Sequence, residues 1–333
     1  MKVEKIRIPI GSASVLGLGS TVKFNDPPTT CYIMTYKEGH CTANCGFCPQ
    51  ARSSKSSEEM LSRVTLPIFP FKDYLTKLKY LHSSKQFKRI CIQTLNYPSN
   101  FQDLIEIITQ IKNSINIPIS TAIPPMSTDK LKELKLVGVQ RVGIALDGTT
   151  PEIFNNIKGD FVNGPYNWDH HFQTLVEALE IFSEGFVSTH LIIGLGETEQ
   201  EVITRIEELH NLTILISLFA FTPIKGTKFE NINKPSLKTF RKLQLGRFLL
   251  VNKEKSQKDF TFNKTGDIVR ININKKELKD IINNTEAFLT SGCPGCNRPY
   301  YTSKPSGPIY NYPRKVKESE NEEIYNILQN FVN

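Results

Sequence analysis

The sequence contains no continuous apolar run that approaches the ~20 residues a membrane-spanning helix needs. Its first residues also lack an apolar stretch followed by small side chains, the pattern of a secretory signal peptide. We therefore expect a cytoplasmic protein that has no membrane partner.

The basic residues are not arranged in a block with arginines and aromatics, the arrangement typical of nucleic-acid-binding segments. The formal net charge is nevertheless +8 over 333 residues, which suits an acidic partner. The lysines are scattered along predicted helices and in the stretch 253–258. We expect no nucleic-acid partner, and an acidic carrier protein is the alternative that the charge leaves open.

The seven cysteines do not indicate a disulfide framework, because their number is odd and we expect an intracellular protein. They are unevenly distributed along the chain. Three fall within eight residues, two form the motif Cys293-Pro294-Gly295-Cys296, and Cys31 and Cys91 stand apart. Clustering of this kind is typical of metal binding.

Short apolar runs alternate with helical patterns from about residue 30 to residue 255. The predicted strands are residues 30–36, 88–95, 117–123, 139–146, 186–193 and 213–221, and the predicted helices include 101–113, 129–137, 168–184 and 199–211. Apolar strands separated by helices are typical of parallel βαβ units. Six such units form either a partial barrel or an open doubly wound sheet. We favour the barrel, because the motifs described below fall at the ends of strands.

The pattern changes on both sides of this region. Residues 1–29 contain glycines and a Pro-Pro pair, which predict an irregular N-terminal arm. After residue 256 we predict a hairpin (259–263 with 267–273), a short helix (275–283), an aperiodic segment (291–314) and a final helix (318–331). The predicted fold is thus α/β: a partial (β/α)6 TIM-type barrel over 30–255, with the arm 1–29 and a metal-binding C-terminal extension over 256–333.

The first cysteine cluster, Cys41, Cys45 and Cys48, lies in a loop directly after the first predicted strand. Thiolates spaced by three and then two residues can face one centre from a loop, as iron–sulfur ligation requires. Three ligands leave one iron of a cubane cluster without a protein ligand and open to a small molecule. A four-cysteine zinc site would instead use two spaced pairs.

This loop resembles the CxxxCxxC loop of radical S-adenosylmethionine (SAM) enzymes, and its run Gly-Phe-Cys-Pro-Gln is similar to that of biotin synthase and related sulfur-inserting enzymes. The resemblance implies a [4Fe–4S] cluster on Cys41, Cys45 and Cys48 that binds SAM, with Phe47 against the cofactor. It also implies that one electron from a reductant such as ferredoxin releases a 5′-deoxyadenosyl radical from the cofactor.

Glycines at the end of the fifth predicted strand precede a capped helix. Gly194 and Gly196 allow close backbone approach to a ligand, and Thr198 with Glu201 forms a capping box. The run Gly-Leu-Gly-Glu-Thr is similar to one in biotin and lipoyl synthases. That similarity implies that Gly194, Gly196 and Glu197 lie near the adenine of the cofactor.

Two further strand ends supply candidate cofactor contacts. Asp147 closes the fourth strand in a segment that resembles biotin synthase, which implies a contact with the ribose; the alternative is a helix N-cap. Gln93 and Thr94 end the second strand, where the superfamily often has Gly-Gly-Glu. They are our candidates for contact with the methionine amino group.

The remaining cysteines, Cys31, Cys91, Cys293 and Cys296, equal in number the ligands of a second, fully ligated cluster. The resemblance to biotin synthase places an auxiliary-cluster ligand at Cys91, but serines occupy its other ligand positions, near residue 120 and at residue 188. The C-terminal pair would then replace the missing ligands. The alternatives are a zinc knuckle at Cys293 and Cys296, and buried apolar roles for Cys31 and Cys91.

The segment around this pair, with residues 305–314, resembles archaeal enzymes that form lipoyl groups as a two-protein pair. The resemblance implies that an auxiliary [4Fe–4S] cluster donates sulfur to an octanoyl chain on a lipoyl-carrier protein or octanoyl-lysine, with a paralogous radical SAM lipoyl synthase subunit as partner. One alternative is another radical SAM sulfurtransferase, biotin-synthase-like or methylthiolating. The other is a non-catalytic metal or electron-transfer module.

Overall fold

The structure, a computed structural model, describes residues 3–19, 25–82 and 86–333. Its strands are β1 (Lys5–Arg7), β2 (Thr30–Thr35), β3 (Met60–Leu61), β4 (Val64–Thr65), β5 (Ile68–Pro70), β6 (Arg89–Gln93), β7 (Ile119–Ile123), β8 (Val139–Ile144), β9 (Val187–Ile193), β10 (Leu215–Ala220), β11 (Phe260–Phe262) and β12 (Ile268–Ile271). Its α-helices are α1 (Ile10–Leu16), α2 (Phe71–His82), α3 (Asn100–Ser114), α4 (Thr128–Leu136), α5 (Pro151–Ile157), α6 (Trp168–Phe182), α7 (Glu199–Asn211), α8 (Leu237–Asn252), α9 (Lys275–Asn284) and α10 (Glu318–Leu328).

Eight of these strands form one sheet in the order β10-β9-β8-β7-β6-β2-β1-β5. The six strands from β10 to β2 run parallel, and each is joined to the next along the chain by a crossover that contains at least one helix. Strand β1 pairs antiparallel with both β2 and β5. Since β10 and β5 are the two ends of the sheet, the barrel does not close. The predicted α/β fold with a partial (β/α)6 barrel is confirmed.

The local sequence explains why these elements form. All six residues of β2 are buried, as expected for a parallel strand covered on both faces. Helices begin at side-chain caps: Thr150 accepts the N–H of Ile153 at the start of α5, and Thr198 with Glu201 forms the predicted capping box of α7. These caps fix where each helix leaves the carboxyl end of its strand, and therefore where the connecting loops lie.

The prediction of an irregular N-terminal arm is wrong where the structure describes it, because β1 and α1 are regular elements. Ile6 and Ile8 are fully buried, and the Arg7 side chain between them is also buried, with Nη1 3.3 Å from the carbonyl oxygen of Leu66. A strand with a charged residue at its centre does not show the apolar run expected of a buried strand. Residues 1–2 and 20–24 of the predicted arm lie outside the described residues.

The C-terminal region contains the predicted hairpin (β11–β12), short helix (α9) and final helix (α10). The segment 291–314 has no helix and no extended strand, also as predicted. It lies along the edge of β10, where Ser217 Oγ donates to the carbonyl of Ser291 (2.9 Å) and Thr222 Oγ1 to that of Thr302 (3.2 Å). From the other side, the ring of Tyr32 on β2 lies 5.6 Å from the ring of Tyr301. The segment therefore extends across the open side of the barrel from β10 to the inner face of β2.

The described part of the chain has no helix with the length and apolar character that a membrane span requires.

Candidate active site

The barrel encloses a cavity of about 350 Å³. Its wall combines residues of all six parallel strands with residues of the C-terminal segment. The loop that contains Cys45 and Cys48 lies at the carboxyl ends of the strands. Cys293 and Cys296 enter from the opposite end, where Thr29, just before β2, binds the backbone carbonyl of Gly295. The cavity thus has one group of cysteines at each end.

The first cysteine loop is fixed by contacts with distant segments. The Gly46 N–H donates to the carbonyl of Ile157 (2.8 Å), and the Phe229 N–H donates to the carbonyl of Gly46 (3.1 Å). A Cβ atom at Gly46 would lie 2.7 Å from Cζ of Phe229. A side chain here would therefore require the phenyl ring or the loop to move.

Hydrogen bonds within and around this loop orient its cysteines. Cys48 N–H donates to the carbonyl of Cys45 (3.0 Å), and both side chains line the cavity. Cys41 is buried beside them, and its Sγ accepts the backbone N–H of Asn96 at 3.1 Å. Backbone donors of this kind stabilise sulfur ligands of iron–sulfur clusters. Burial raises the pKa of Cys45 to about 12, so its proton would leave only as the metal binds.

An ionic group lies next to this loop. Asp147 is buried, with Oδ2 2.7 Å from Lys158 Nζ and Oδ1 2.8 Å from His190 Nε2. Burial alone would raise the pKa of Asp147, but Lys158 and then His190 lower it well below its usual range. Because both oxygens are engaged, a ribose at Asp147 would also meet Lys158 or His190. The N-cap alternative for Asp147 is wrong, since Thr150 caps α5.

The two candidates after the second barrel strand differ in their free hydrogen-bonding capacity. Gln93 is 7% exposed and lines the cavity, and its Oε1 has no partner among the described residues. The Thr94 hydroxyl also lines the cavity but donates to the carbonyl of Ala122 at 3.0 Å. Gln93 therefore offers a buried, unused acceptor to a ligand, as a contact with an amino group requires. Phe47 also lies in the cavity wall.

The glycine turn after β9 does not line the cavity. The Glu197 carboxylate accepts the N–H groups of Gly194 and Leu195 and so closes the turn on itself. A Cβ atom at Gly194 would lie 2.8 Å from Cδ of Pro235, so this glycine is needed for packing. The contact of Gly194, Gly196 and Glu197 with the adenine stays a prediction.

The second cysteine group consists of Cys91, Cys293 and Cys296, which all line the cavity. Cys293 Sγ lies 3.5 Å from Oγ of Ser120 on β7, and Cys296 Sγ lies 2.9 Å from the hydroxyl of Tyr32 on β2. Burial raises the pKa of Cys91 to about 12. The fold therefore brings a thiol of the barrel wall together with two thiols of the C-terminal segment.

Cys31 does not belong to this group, and its prediction as a ligand is wrong. Tyr32 pairs with Cys91 across β2 and β6, so these two side chains share the inner face of the sheet. Cys31, one residue earlier, points to the opposite face. It is fully buried in the helix-covered core, where its Sγ lies 3.8 Å from the hydroxyl of Tyr74 on α2. Its alternative interpretation, a small buried apolar residue, fits this position.

Within residues 3–19, 25–82 and 86–333, no three or more His, Cys, Asp or Glu side chains converge on a single metal ion. In a cubane cluster each thiolate binds a different iron, so convergence on one point is not required. Both cysteine groups are therefore compatible with a cluster, and the zinc knuckle at Cys293 and Cys296 stays an alternative.

Several cavity residues were not predicted. Lys158 lies 5.0 Å above the ring of Tyr166, and both side chains line the cavity beside the first cysteine loop. Arg141 and Arg298 line it further from that loop. His190 had a sequence signal, since it alternates with Ser188 along the predicted strand. Arg298 had none, because the segment around it has no periodicity.

Residues 39–209, a little over half of the chain, match the Radical SAM superfamily. This range includes the first cysteine loop. The chain belongs to the radical SAM superfamily. Membership implies a [4Fe–4S] cluster that binds SAM, and the thiols, the Asn96 donor and the free acceptor of Gln93 fit such a group.

Biotin synthases are among the relatives of this radical SAM protein. The chain is 28% identical to biotin synthase of Methanococcus aeolicus over 235 residues, which are 67% of each protein. It is 28% identical to biotin synthase of Bacillus subtilis over 245 residues, 71% of this chain and 66% of that one. It thus spans about two thirds of the length of these relatives.

Among solved structures, HydG, a maturase of the [FeFe]-hydrogenase, aligns with a TM-score of 0.53 at 16% identity over 72% of this chain and 52% of that one. This likeness supports the fold alone. The predicted relation to archaeal lipoyl synthases stays a prediction.

Proposed function

We propose that this radical SAM enzyme inserts sulfur into an octanoyl chain borne by a lysine, as one subunit of a two-protein lipoyl synthase. The observation that supports this function is the second group of thiols, Cys91, Cys293 and Cys296, in the same cavity as Cys45 and Cys48. A radical source at one end and a sulfur source at the other leave the space between them for a substrate. Sulfur insertion needs both groups, whereas SAM cleavage alone needs only the first.

When bound, the first cluster would pass an electron to SAM, which supplies the 5′-deoxyadenosyl radical, and the second cluster would supply sulfide. The residues of the chain orient the reactants and exclude water. Gln93 would accept a hydrogen bond from the cofactor at the carboxyl end of β6. Ile123, Phe219 and Phe221 are among the apolar side chains of the cavity wall and would contact the acyl chain. The segment 291–314 covers the open side of the barrel and separates the substrate from solvent.

The proposed partners follow from the same resemblance. They are an octanoylated lipoyl-carrier protein or octanoyl-lysine as substrate, a paralogous radical SAM subunit, and a reductant such as ferredoxin. The net charge of +8 supports an acidic carrier, because opposite charges accelerate association.

A second candidate function is a biotin-synthase-like thiolation. The identity to biotin synthases and the inward position of Cys91 favour it. Ser120 and Ser188, which stand where the resemblance places the other auxiliary ligands of biotin synthase, argue against an identical sulfur-donor site. Dethiobiotin is the substrate that distinguishes this candidate.

The test supplies the anaerobically reconstituted enzyme with SAM, a strong reductant and octanoyl-lysyl peptide, with and without its paralogue, and detects products by mass spectrometry. We expect a peptide that has gained sulfur. The Cys91→Ala variant should still form 5′-deoxyadenosine but no thiolated peptide, whereas the matched Cys31→Ala variant should form both.

Thiolation of dethiobiotin alone would replace the lipoyl proposal with the second candidate. Absence of a thiolated peptide under every combination of partner and reductant would reject the proposed function.

A further inference from the structure

Among the described residues, the end of the cavity that contains Cys293 and Cys296 has several positive side chains in its wall and no negative one. Arg141 and Arg298 line the wall, and Arg89 lies two residues before Cys91 on the same face of β6. Within the described ranges, none of these three arginines forms an ion pair with a carboxylate. Asp147 is the one carboxylate among the described residues of the wall, and Lys158 and His190 already engage it.

Arg89 illustrates how these cations are held. Its side chain is buried, and its Nη1 and Nη2 donate to Oγ of Ser120 (2.8 Å) and Oε1 of Gln140 (2.7 Å), while Nε has no partner among the described residues. Both acceptors are neutral. Ser120 Oγ also lies 3.5 Å from Cys293 Sγ. The Ser120 hydroxyl therefore links the Arg89 guanidinium to the second cysteine group.

Arg298 and Arg141 are held mainly by aromatic rings and backbone oxygens. The Arg298 guanidinium carbon lies 4.6 Å from the ring centre of Tyr301 and 5.1 Å from that of Phe219. Arg141 lies 4.6 Å from the ring centre of Phe186, and its Nη1 donates to the carbonyl of Gly185. Rings and carbonyls orient a cation but do not neutralise it.

Three cations in one confined region repel one another, and burying a charge without a counter-ion is costly. An anion in the cavity would offset both effects. We propose that Arg89, Arg141 and Arg298 form a cationic wall that binds an anionic metal–sulfide cluster held by Cys91, Cys293 and Cys296. This inference rests on the proposed function for the presence of an auxiliary cluster and adds the residues that compensate its charge.

The cationic wall has a measurable consequence for the redox behaviour of the cluster. Reduction adds a negative charge, which nearby guanidinium groups stabilise more than they stabilise the oxidised form. Removing one of them should therefore lower the reduction potential. The arginines act as positioning and charge-compensating residues, and the effect does not require a substrate.

The experiment uses the full chain in a Cys41→Ala/Cys45→Ala/Cys48→Ala background, so that only the second cluster assembles. Potentiometric titration followed by electron paramagnetic resonance is applied to Arg141→Met, Arg298→Met, the conservative Arg298→Lys and the control Arg270→Met, whose arginine is exposed on β12. Iron and sulfide contents confirm equal loading. We expect lower potentials in both cavity methionine variants, most of the wild-type potential in Arg298→Lys, and no change in the control.

Unchanged reduction potentials in Arg141→Met and Arg298→Met would overturn the inference. The arginines would then be assigned to binding a carboxylate group of the substrate. Absence of any cluster in the triple-alanine background would also overturn the inference. The product assay uses the enzyme with its first cysteine cluster intact. Lower potentials in the arginine variants, without a thiolated product in that assay, would support the cationic wall and reject sulfur insertion. A thiolated product together with unchanged potentials would support sulfur insertion and reject the cationic wall.

Discussion

At the scale of single residues, Asp147 is a buried carboxylate that contacts Lys158 and His190. Its carboxylate compensates the buried cation Lys158, so the Asp147→Asn variant would leave that charge unpaired. Asparagine also tolerates the positive φ of 63° at this position, which limits backbone strain as a cause. We expect the free energy of unfolding at pH 7 to fall by ~3 kcal/mol, measured by urea denaturation. The double variant Asp147→Asn/Lys158→Met should recover most of the loss. Equal stability of the single variant and the wild type would contradict this account.

The same residue predicts a pH dependence. The pKa of Asp147 in the folded state lies below the ~3.9 of an unfolded chain. Above the unfolded-state pKa, the ionised Asp147 contributes its full stabilisation to the folded protein. This stabilisation is lost as the pH falls from the unfolded-state pKa to the lower folded-state pKa. Below about pH 4 the wild type should lose stability more steeply than Asp147→Asn. Denaturation curves at a series of acidic pH values test this difference, and parallel curves would argue against it.

Cys31 and Cys91 form a matched pair, since both are strand cysteines but face opposite sides of the sheet. Cys91→Ala should reduce the iron content of the reconstituted chain by about half, because one of two clusters loses a ligand. Cys31→Ala should keep its iron and lose only the stability associated with a small buried side chain. Iron analysis and visible absorption measure both variants. A loss of iron in Cys31→Ala would show that the inner and outer faces of β2 have been assigned wrongly.

The sequence could not distinguish these two cysteines. Side chains alternate along a strand, but which set faces inward depends on the register with neighbouring strands. The pairing of Tyr32 with Cys91 decides it, and no local pattern around Cys31 shows that pairing. The spacing of Cys41, Cys45 and Cys48, in contrast, is local, so the sequence was sufficient to predict their shared loop.

At the scale of elements, the first cysteine loop depends on one packing contact. The Gly46→Ala variant places a methyl group 2.7 Å from Cζ of Phe229, so the loop or the ring must move. We expect less iron in the first cluster and a lower yield of 5′-deoxyadenosine. Gly46→Ala/Phe229→Leu should restore both, because the smaller side chain leaves room for the methyl group. Failure of the double variant to recover would mean that the backbone of Gly46, rather than this contact, is the constraint.

Elements in the parallel part of the barrel were predictable, because their strands are short apolar runs and their helices are amphipathic and capped. All six parallel strands lie within predicted segments. Helices α2 and α8 were not among the predicted elements. Strand β1 was missed because it is stabilised by tertiary contacts with β2 and β5, and short segments contain little information about such contacts.

At the scale of the whole molecule, the sheet does not close, and the segment 291–314 extends across the opening from β10 to the inner face of β2. Hydrogen bonds attach its first part to both sides of the barrel, among them those of Thr29 with Gly295 and Asn297 and that of Ser217 with Ser291. A cluster bound by Cys91 on β6 together with the two thiols of the segment would join it to the wall. Metal ligation of this kind contributes directly to the stability of the structure it connects.

Loss of the second cluster should therefore weaken the attachment of residues 291–302 while the rest of the barrel stays folded. Hydrogen exchange measured by mass spectrometry should show faster exchange there after chelation of iron, and equally in Cys91→Ala, which keeps the first cluster. Residues 215–220 of the neighbouring strand should change less, because their backbone pairs with β9. The Cys41→Ala variant is the control: it loses only the first cluster and should leave exchange in 291–302 unchanged. Equal protection with and without the second cluster would show that hydrogen bonds and ring contacts alone hold the segment.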